Sequence, residues 1–125
     1  MKTGASDRPV STESPKRKAP GQTAPGVMNK TEAEYAGMLE LRKRAGELQD
    51  YFYDAMKVKI GAERCVYNID FVAVLADGSL ELIEVKGAHV RDDSRVKFQS
   101  AKLQYASLGR WVWAQKKKDK TWEIT

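Results

Sequence analysis

The chain has 125 residues, of which 42% are hydrophobic, so it can bury one hydrophobic core but is too short for two comfortable domains. Its formal net charge of +5 favours a polyanionic partner but does not separate nucleic acid from an anionic membrane. No apolar run approaches the roughly 20 residues of a membrane span, and neither a secretory signal nor a cysteine pair is present, so we expect a cytoplasmic protein.

Residues 1–27 differ in composition from the rest of the chain. They contain all four prolines, almost no large apolar side chains, and five Lys or Arg against two acids. Such a segment cannot bury enough apolar surface to offset the entropy that it would lose on ordering. We expect a disordered basic tail over residues 1–27 and a folded domain over residues 28–125.

The first predicted elements are a helix and three strands. Asn29 is a good N-cap with Glu32 three positions later, and Gly46 suits the end of the helix that they begin. The stretches "YFYDAMKVKI" and "RCVYNIDFVAVLADGSLELIEVKG" then predict one strand and a hairpin that turns at Asp77-Gly78. Cys65, inside the second stretch, is expected to be a small core residue.

The predicted order of elements is completed by a second helix and two short strands. The helix is expected to begin near Asp92 and end near Gly109, with Phe98, Ala101, Tyr105 and Leu108 on its apolar face. The strands are "RWVWAQKK" and "TWEIT", and the tryptophans of the first are expected to pack against a helix. The order α-β-β-β-α-β-β indicates an α/β fold with a mixed central sheet flanked by helices.

The turn of the long hairpin decides whether two acids, Asp70 and Glu84, can meet. A two-residue loop at Asp77-Gly78 would leave these acids on opposite faces of the sheet. A three-residue loop with Gly78 in the left-handed conformation would instead place them opposite one another on one face. We favour the three-residue loop because glycine adopts that conformation without strain.

Glu84 and Lys86 lie two positions apart in the strand and therefore point to the same face. A pair of solvated charges at a strand end would explain them, but Asp70 beside Glu84 would add a second carboxylate. Neighbouring carboxylates repel each other unless a cation lies between them. Oxygen ligands suit Mg²⁺ or Mn²⁺ better than zinc, and Lys86 is placed to stabilise charge on a phosphate.

The stretches "YNIDF" and "IEVKG" resemble the core of the PD-(D/E)xK nuclease superfamily, with Asp70, Glu84 and Lys86 in the positions of its motif. Ile69 replaces the usual proline. The opening of helix one, "KTEAEY", is similar to the segment of these nucleases that bears a further glutamate, which would be Glu32 or, as the weaker alternative, Glu34. The stretch "EVKGAHVRDDSRVKFQSAKL" resembles phage junction-resolving endonucleases and small RecB-like phage proteins. The resemblance covers roughly residues 29 to 115.

The resemblance implies a restriction-endonuclease-like core and Mg²⁺-dependent hydrolysis of DNA, with Mn²⁺ as a substitute. It also implies that Asp70, Glu84 and the Val85 carbonyl hold the metal, that Lys86 positions the attacking water, and that Glu32 completes the catalytic set. A phage-encoded or bacterial protein that acts on branched DNA fits the similarity best. Four-way junctions, flaps, single strands and duplexes all stay open as substrates, and junction resolution would imply a homodimer.

Two further interpretations concern nucleic-acid contacts. Lys97 and Lys102 on the second helix are placed to touch phosphates, although a solvated helix face explains them equally well. His89 is expected to be exposed. The alternative function is a catalytically inactive nucleic-acid-binding module with a nuclease-like fold, which would bind DNA equally well with and without divalent ions.

Overall fold

A five-stranded mixed sheet with a helix on each face forms the part of the chain that the computed structural model describes, residues 26–62 and 64–125. The predicted order of elements is confirmed. The elements are α1 (Lys30–Arg44), β1 (Leu48–Lys59), β2 (Val66–Leu75), β3 (Leu80–Lys86), α2 (Asp92–Gln104), a 3-10 turn (Ala106–Leu108), β4 (Arg110–Lys116) and β5 (Trp122–Ile124). Most of the predicted tail lies outside the described residues. No helix among the described residues is long and apolar enough to cross a membrane.

The strands lie in sequence order across the sheet, β1-β2-β3-β4-β5. Three of the four neighbouring pairs are antiparallel, and β3 and β4 are parallel. A parallel pair needs a crossover connection, and α2 supplies it. Because of this crossover, β3 and β4 both end on the same side of the sheet, next to the first turn of α1.

The ends of α1 follow from local sequence, as predicted. The Asn29 side chain accepts a hydrogen bond from the Glu32 N–H (2.8 Å), and the Glu32 carboxylate accepts one from the Asn29 N–H (3.0 Å), which is a complete capping box. After Arg44 the chain leaves the helix through Gly46, whose φ is +87°. Capping therefore fixes where Glu32 lies on the helix.

Each helix closes its own hydrophobic core against one face of the sheet. Tyr35 and Leu39 of α1 pack with a cluster on one face, whose sheet members are Leu48, Phe71, Ala73, Ile83, Val85, Val112 and Ala114. Phe98 and Ala101 of α2 pack with a cluster on the other face, whose sheet members are Tyr67, Ile69, Val72, Leu82, Trp111 and Trp113. The prediction that both tryptophans pack against a helix is confirmed, with the Phe98 ring 5.1 Å from that of Trp113.

The hairpin of β2 and β3 has the three-residue loop. The Leu75 N–H donates to the Ser79 carbonyl (2.8 Å), and Gly78 has φ of +90°. The register that follows pairs Val72 with Leu82. The favoured register is thus confirmed over the paired part of the hairpin.

Two predictions about element ends were wrong. Cys65 is exposed and precedes β2 rather than lying inside it, because its backbone closes the β1–β2 turn through hydrogen bonds with Ala62 and Ile60. Helix α2 ends at Gln104, short of Gly109, so Tyr105 and Leu108 lie beyond it and Leu108 is exposed. Tyr105 leaves the helical conformation, and its carbonyl accepts a hydrogen bond from the Trp111 indole N–H (2.9 Å).

A buried ion pair ties α1 to the sheet. The Arg42 guanidinium donates two hydrogen bonds, of 3.0 and 3.1 Å, to the carboxylate of buried Glu81 on β3. We expect Arg42→Met to lower the free energy of unfolding by about 2–4 kcal/mol, because it leaves Glu81 buried without its cation. Arg44→Met, which removes an exposed pair with Glu40, should change it by less than about 0.5 kcal/mol. Urea denaturation of both variants checks this, and equal losses would contradict it.

Candidate active site

Asp70 lies where β2 changes its relation to the neighbouring strand β1. Pairing of the two strands shifts by one residue between Tyr53/Phe71 and Met56/Ile69. Asp54, within this bulge, has φ of +56°. Phe71 packs in the α1-side core, whereas Ile69 packs in the α2-side core. The alternation of faces is therefore broken at Asp70, as is common beside functional sites.

The ladder between β2 and β3 also ends at this point. In an antiparallel pair of strands, every second pair of opposite residues is joined by backbone hydrogen bonds. Because Leu75 and Ser79 are joined in this way, Phe71 and Ile83 are a hydrogen-bonded pair, and Ile69 and Val85 would be the next one. The pairing stops after Phe71 and Ile83. The Val85 N–H donates instead to Asp70 Oδ2 at 2.9 Å.

This arrangement brings Asp70 towards Glu84 without making them ladder partners. The paired register ends one residue short of them, and the Asp70 side chain reaches the backbone of the residue that follows Glu84. Because the N–H and C=O of one strand residue point to the same side, the Val85 carbonyl faces the Asp70 side as well. The Asp70 carboxylate and the Val85 backbone are thus in contact at the end of the ladder, next to Glu84.

Glu84 is buried and held by two donors. Its Oε2 atom lies 2.9 Å from Lys86 Nζ, and its Oε1 atom accepts a hydrogen bond from the Tyr67 hydroxyl. The Lys86 ammonium also lies 3.4 Å from Ser94 Oγ, in the first turn of α2. Lys86 is three-quarters buried, so the protein holds its charge at a defined place beside the acids.

Glu32 approaches the same region from α1. Besides its capping role, its Oε1 atom accepts a hydrogen bond from the Tyr53 hydroxyl (2.8 Å), and its side chain is buried. Its negative charge contributes to raising the pKa of Asp70. Glu34, the alternative, is turned elsewhere and forms an ion pair with Lys116. Of the two candidate glutamates, Glu32 is therefore the one that the fold couples to Asp70.

The acids of the site are electrostatically frustrated. Burial first, and then the charges of Glu84 and Glu32, raise the pKa of Asp70 from 3.8 to about 8, although the Val85 N–H and Lys86 act to lower it. Burial and the Glu84 carboxylate likewise raise the pKa of Tyr67, and burial and the Glu32 hydrogen bond raise that of Tyr53. Both tyrosines therefore stay protonated and act as hydrogen-bond donors. With Asp70, Glu84 and Glu32 all ionised, the site would carry three negative charges against the one positive charge of Lys86.

The described residues contain no group of three or more His, Cys, Asp or Glu side chains placed to hold a metal ion. The oxygen donors predicted for a metal are the carboxylates of Asp70 and Glu84 and the carbonyl of Val85. Mg²⁺ is commonly bound by one or two carboxylates with water and substrate oxygens in the remaining positions. The residues therefore fit a hard divalent cation that relies on substrate and water for part of its coordination, and they do not fit zinc.

The remaining predicted contacts lie apart from these acids. Lys97 and Lys102 are exposed on α2, and within residues 26–62 and 64–125 neither forms a hydrogen bond or ion pair with Asp70, Glu84 or Lys86. Their assignment to DNA binding stays a prediction. His89 is exposed, as expected.

Three residues of the site were not predicted from the sequence. Tyr67 and Tyr53 donate to the two buried glutamates, and Ser94 contacts Lys86. The only sequence signal was a tyrosine inside a buried strand near acids, since a buried hydroxyl needs a partner. Nothing in the sequence specified which carboxylate each tyrosine would meet.

Comparisons with known proteins give no relative on which to base an assignment. No family model, no curated protein and no solved structure matches the chain. Any functional conclusion therefore depends on the residues and their arrangement.

Proposed function

We propose that the protein is a Mg²⁺-dependent endodeoxyribonuclease of the PD-(D/E)xK type. The observation that carries the proposal is the convergence of Asp70, Glu84 and Lys86 where the β2–β3 ladder ends. A ladder that merely frayed would leave its last carboxylates in water. Here Glu84 is buried, Asp70 is half-buried, and a lysine is held beside them.

The excess negative charge is the reason for including a cation. Mg²⁺ held by Asp70, Glu84 and the Val85 carbonyl, with Mn²⁺ as a substitute, would supply charge neutralisation for a phosphodiester and a lowered pKa for water. The cost of burying two carboxylates together is otherwise unexplained. A protein that only bound nucleic acid would gain nothing from acids facing a phosphate.

Lys86 has the position expected for a residue that orients the attacking water. Its ammonium carries three donors, of which the structure engages those directed at Glu84 Oε2 and Ser94 Oγ. The third can donate to a water or to a phosphate oxygen. Tyr67 keeps the opposite oxygen of Glu84 occupied, so the carboxylate cannot rotate freely, and Glu32 adds negative potential near Asp70.

The proposal includes a fold and a substrate class. A mixed sheet in which an antiparallel meander is followed by a helical crossover to a parallel strand supports a restriction-endonuclease-like core. Cleavage of branched DNA, in the cytoplasm of a bacterium or a phage-infected bacterium, follows from the resemblance of residues 84–103 to phage junction-resolving enzymes. A symmetric homodimer would accompany junction resolution.

The experiment is cleavage of labelled four-way junction, flap, single-stranded and duplex DNA, with Mg²⁺, Mn²⁺ or EDTA. We expect cutting with either metal, none with EDTA, and loss of cutting in Asp70→Ala. Binding without cutting under every metal would instead support the catalytically inactive binding module. Asp77→Ala, which removes an exposed acid in the hairpin loop, is the matched control and should leave cutting intact.

A further inference from the structure

A basic cleft of about 260 Å³ adjoins the candidate active site. Two elements of the site continue into it: Lys30 and Thr31 immediately precede Glu32, and Gly87 and Ala88 immediately follow Lys86. The rest of its charged lining comes from Glu34 and from the end of β4 and the loop that follows. We call it the lysine cleft, and its five lysines are Lys30, Lys116, Lys117, Lys118 and Lys120.

Most of this positive charge is not neutralised. Lys116 pairs with Glu34, and Lys117 pairs with Glu123 at 3.1 Å. In the part of the chain that the structure describes, no carboxylate lies within ion-pair distance of the other three lysines, Lys30, Lys118 and Lys120. The hydrogen bond from Lys116 and, to a smaller extent, the charges of Lys30 and Lys120 lower the pKa of Glu34. Three lysines without an ion-pair partner among the described residues therefore line one cleft, whose acidic lining residue, Glu34, is already paired with Lys116.

The conformation of Lys120 gives an independent argument. Its loop is built like the β2–β3 loop: the Lys117 N–H donates to the Thr121 carbonyl (2.7 Å), and the Lys120 N–H donates to the Lys117 carbonyl (2.9 Å). The acid before Lys120 also accepts from the Thr121 N–H (3.0 Å), as Asp77 accepts from that of Ser79.

The two loops differ at the left-handed position. The β2–β3 loop has Gly78 there, with φ of +90°, whereas the β4–β5 loop has Lys120, with φ of +75°. Glycine adopts this conformation freely, and a lysine adopts it only with strain. A strained residue whose side chain lines a charged cleft is a candidate for a functional contact.

We propose that the lysine cleft binds a backbone phosphate of the nucleic-acid substrate, next to the phosphate that is cut. This inference rests on the proposed function and extends it to substrate positioning. Ammonium groups bind phosphate oxygens as point charges without reading base sequence. The cleft would therefore fix where the strand lies relative to Asp70 and Lys86, and it would contribute to affinity for any DNA.

The test measures binding of a short fluorescent DNA duplex in EDTA, so that cutting does not interfere, over a series of salt concentrations. We expect Lys120→Gly to weaken binding about 3–10-fold and to lower the slope of log affinity against log salt by about one, the value for one lost phosphate contact. The melting temperature should stay the same or rise, because glycine is the unstrained residue at this position. A residue with a purely structural role would not give weaker binding together with equal or higher stability.

Lys57→Ala is the matched control. It removes the same charge from β1, at the opposite edge of the sheet from β5, and should change affinity less than Lys120→Gly. The triple variant Lys30→Ala, Lys118→Ala, Lys120→Gly should lower the salt slope by up to about three. Unchanged affinity in the triple variant would overturn the proposal, and so would an effect of Lys57→Ala as large as that of Lys120→Gly.

Two further readouts separate this inference from its alternatives. Anionic phosphatidylserine vesicles test a membrane partner, and binding to vesicles but not to duplex, lost in the triple variant, would overturn the assignment to nucleic acid. Cleavage assays separate the inference from the proposed nuclease function. If the cleft variants bind duplex more weakly but the wild type does not cut DNA, phosphate binding by the lysine cleft is supported and the proposed nuclease function is refuted. If the wild type cuts DNA in a metal-dependent way but the cleft variants bind with unchanged affinity, the nuclease function is supported and phosphate binding by the cleft is refuted.

Discussion

Replacing Lys86 with methionine is expected to lower the rate of metal-dependent DNA cleavage by about 10²–10⁴-fold, the range for removal of a group that assists proton transfer in the transition state. Methionine keeps most of the aliphatic length of lysine but has no ammonium to direct at Glu84 or at a water. The Lys86 charge is held between Glu84 Oε2 and Ser94 Oγ, so no neighbouring side chain replaces it.

Single-turnover cleavage with Mg²⁺, at enzyme concentrations well above the dissociation constant, measures this effect without contributions from binding. Lys57→Met on β1 is the matched control, and we expect its rate to stay within about threefold of the wild type, as for loss of one solvated charge. The variants should be compared far below their melting temperatures, because Lys86→Met leaves buried Glu84 with Tyr67 as its remaining side-chain donor. Full activity in Lys86→Met would refute the mechanism.

The second large expected effect concerns stability without metal. The pKa of Asp70 is raised from 3.8 to about 8 in the folded protein, so the folded state binds a proton more tightly than the unfolded state. Stability should therefore be greatest below about pH 4 as far as this group is concerned. It should fall as the pH rises towards 8, with a slope of at most about 1.4 kcal/mol per pH unit.

Asp70→Asn should remove most of that slope. An amide oxygen can still accept the hydrogen bond from the Val85 N–H, but it carries no charge to repel Glu84. In EDTA at pH 8 we expect the variant to be more stable than the wild type by about 1–4 kcal/mol, although it should not cut DNA. Urea denaturation at several pH values measures both the slope and the difference.

Addition of Mg²⁺ supplies the complementary observation. Saturating metal should stabilise the wild type at pH 8, by about 2.7 kcal/mol at a hundredfold excess over the dissociation constant, and should have little effect on Asp70→Asn. A wild type that is equally stable at pH 5 and pH 8 in EDTA, and indifferent to Mg²⁺, would show that the carboxylates are not frustrated. That result would also remove the main support for a metal.

Local sequence signals predicted much of the framework. The capping box of Asn29 and Glu32, the left-handed conformation of Gly78, and the alternation of apolar and charged residues at the end of β3 are local features. Each depends on near neighbours in the chain, so a short segment determines it by itself. They were sufficient for the order of elements and the register of the hairpin. Cys65 was misplaced because its stretch is β-branched and apolar, yet the tight turn of the β1–β2 hairpin includes it.

The site required information that no local signal contains. The hairpin register by itself would make Asp70 a ladder partner of Glu84, but the bulge at Asp54 and the end of the β2–β3 ladder turn its carboxylate to the Val85 N–H instead. The bulge arises in the pairing of β2 with β1, a strand outside this hairpin. The raised pKa of Asp70 depends in turn on burial and on Glu32, which comes from a different element.

By itself the sequence determined that Glu84 and Lys86 share one strand face, that Asp70 is an acid inside an apolar stretch, and where the helix that carries Glu32 begins. Only the tertiary structure decided which partners these groups have. Tyr67 donates a hydrogen bond to Glu84. Lys116, which is 82 positions from Glu34 in the sequence, forms an ion pair with it, so that Glu32 is the glutamate left near Asp70. Lysines without an ion-pair partner among the described residues line a cleft that adjoins the site. The physical reason is that caps and turns form among neighbours in the chain, whereas burial, charge compensation and the end of a strand ladder depend on segments that meet only when the sheet is complete.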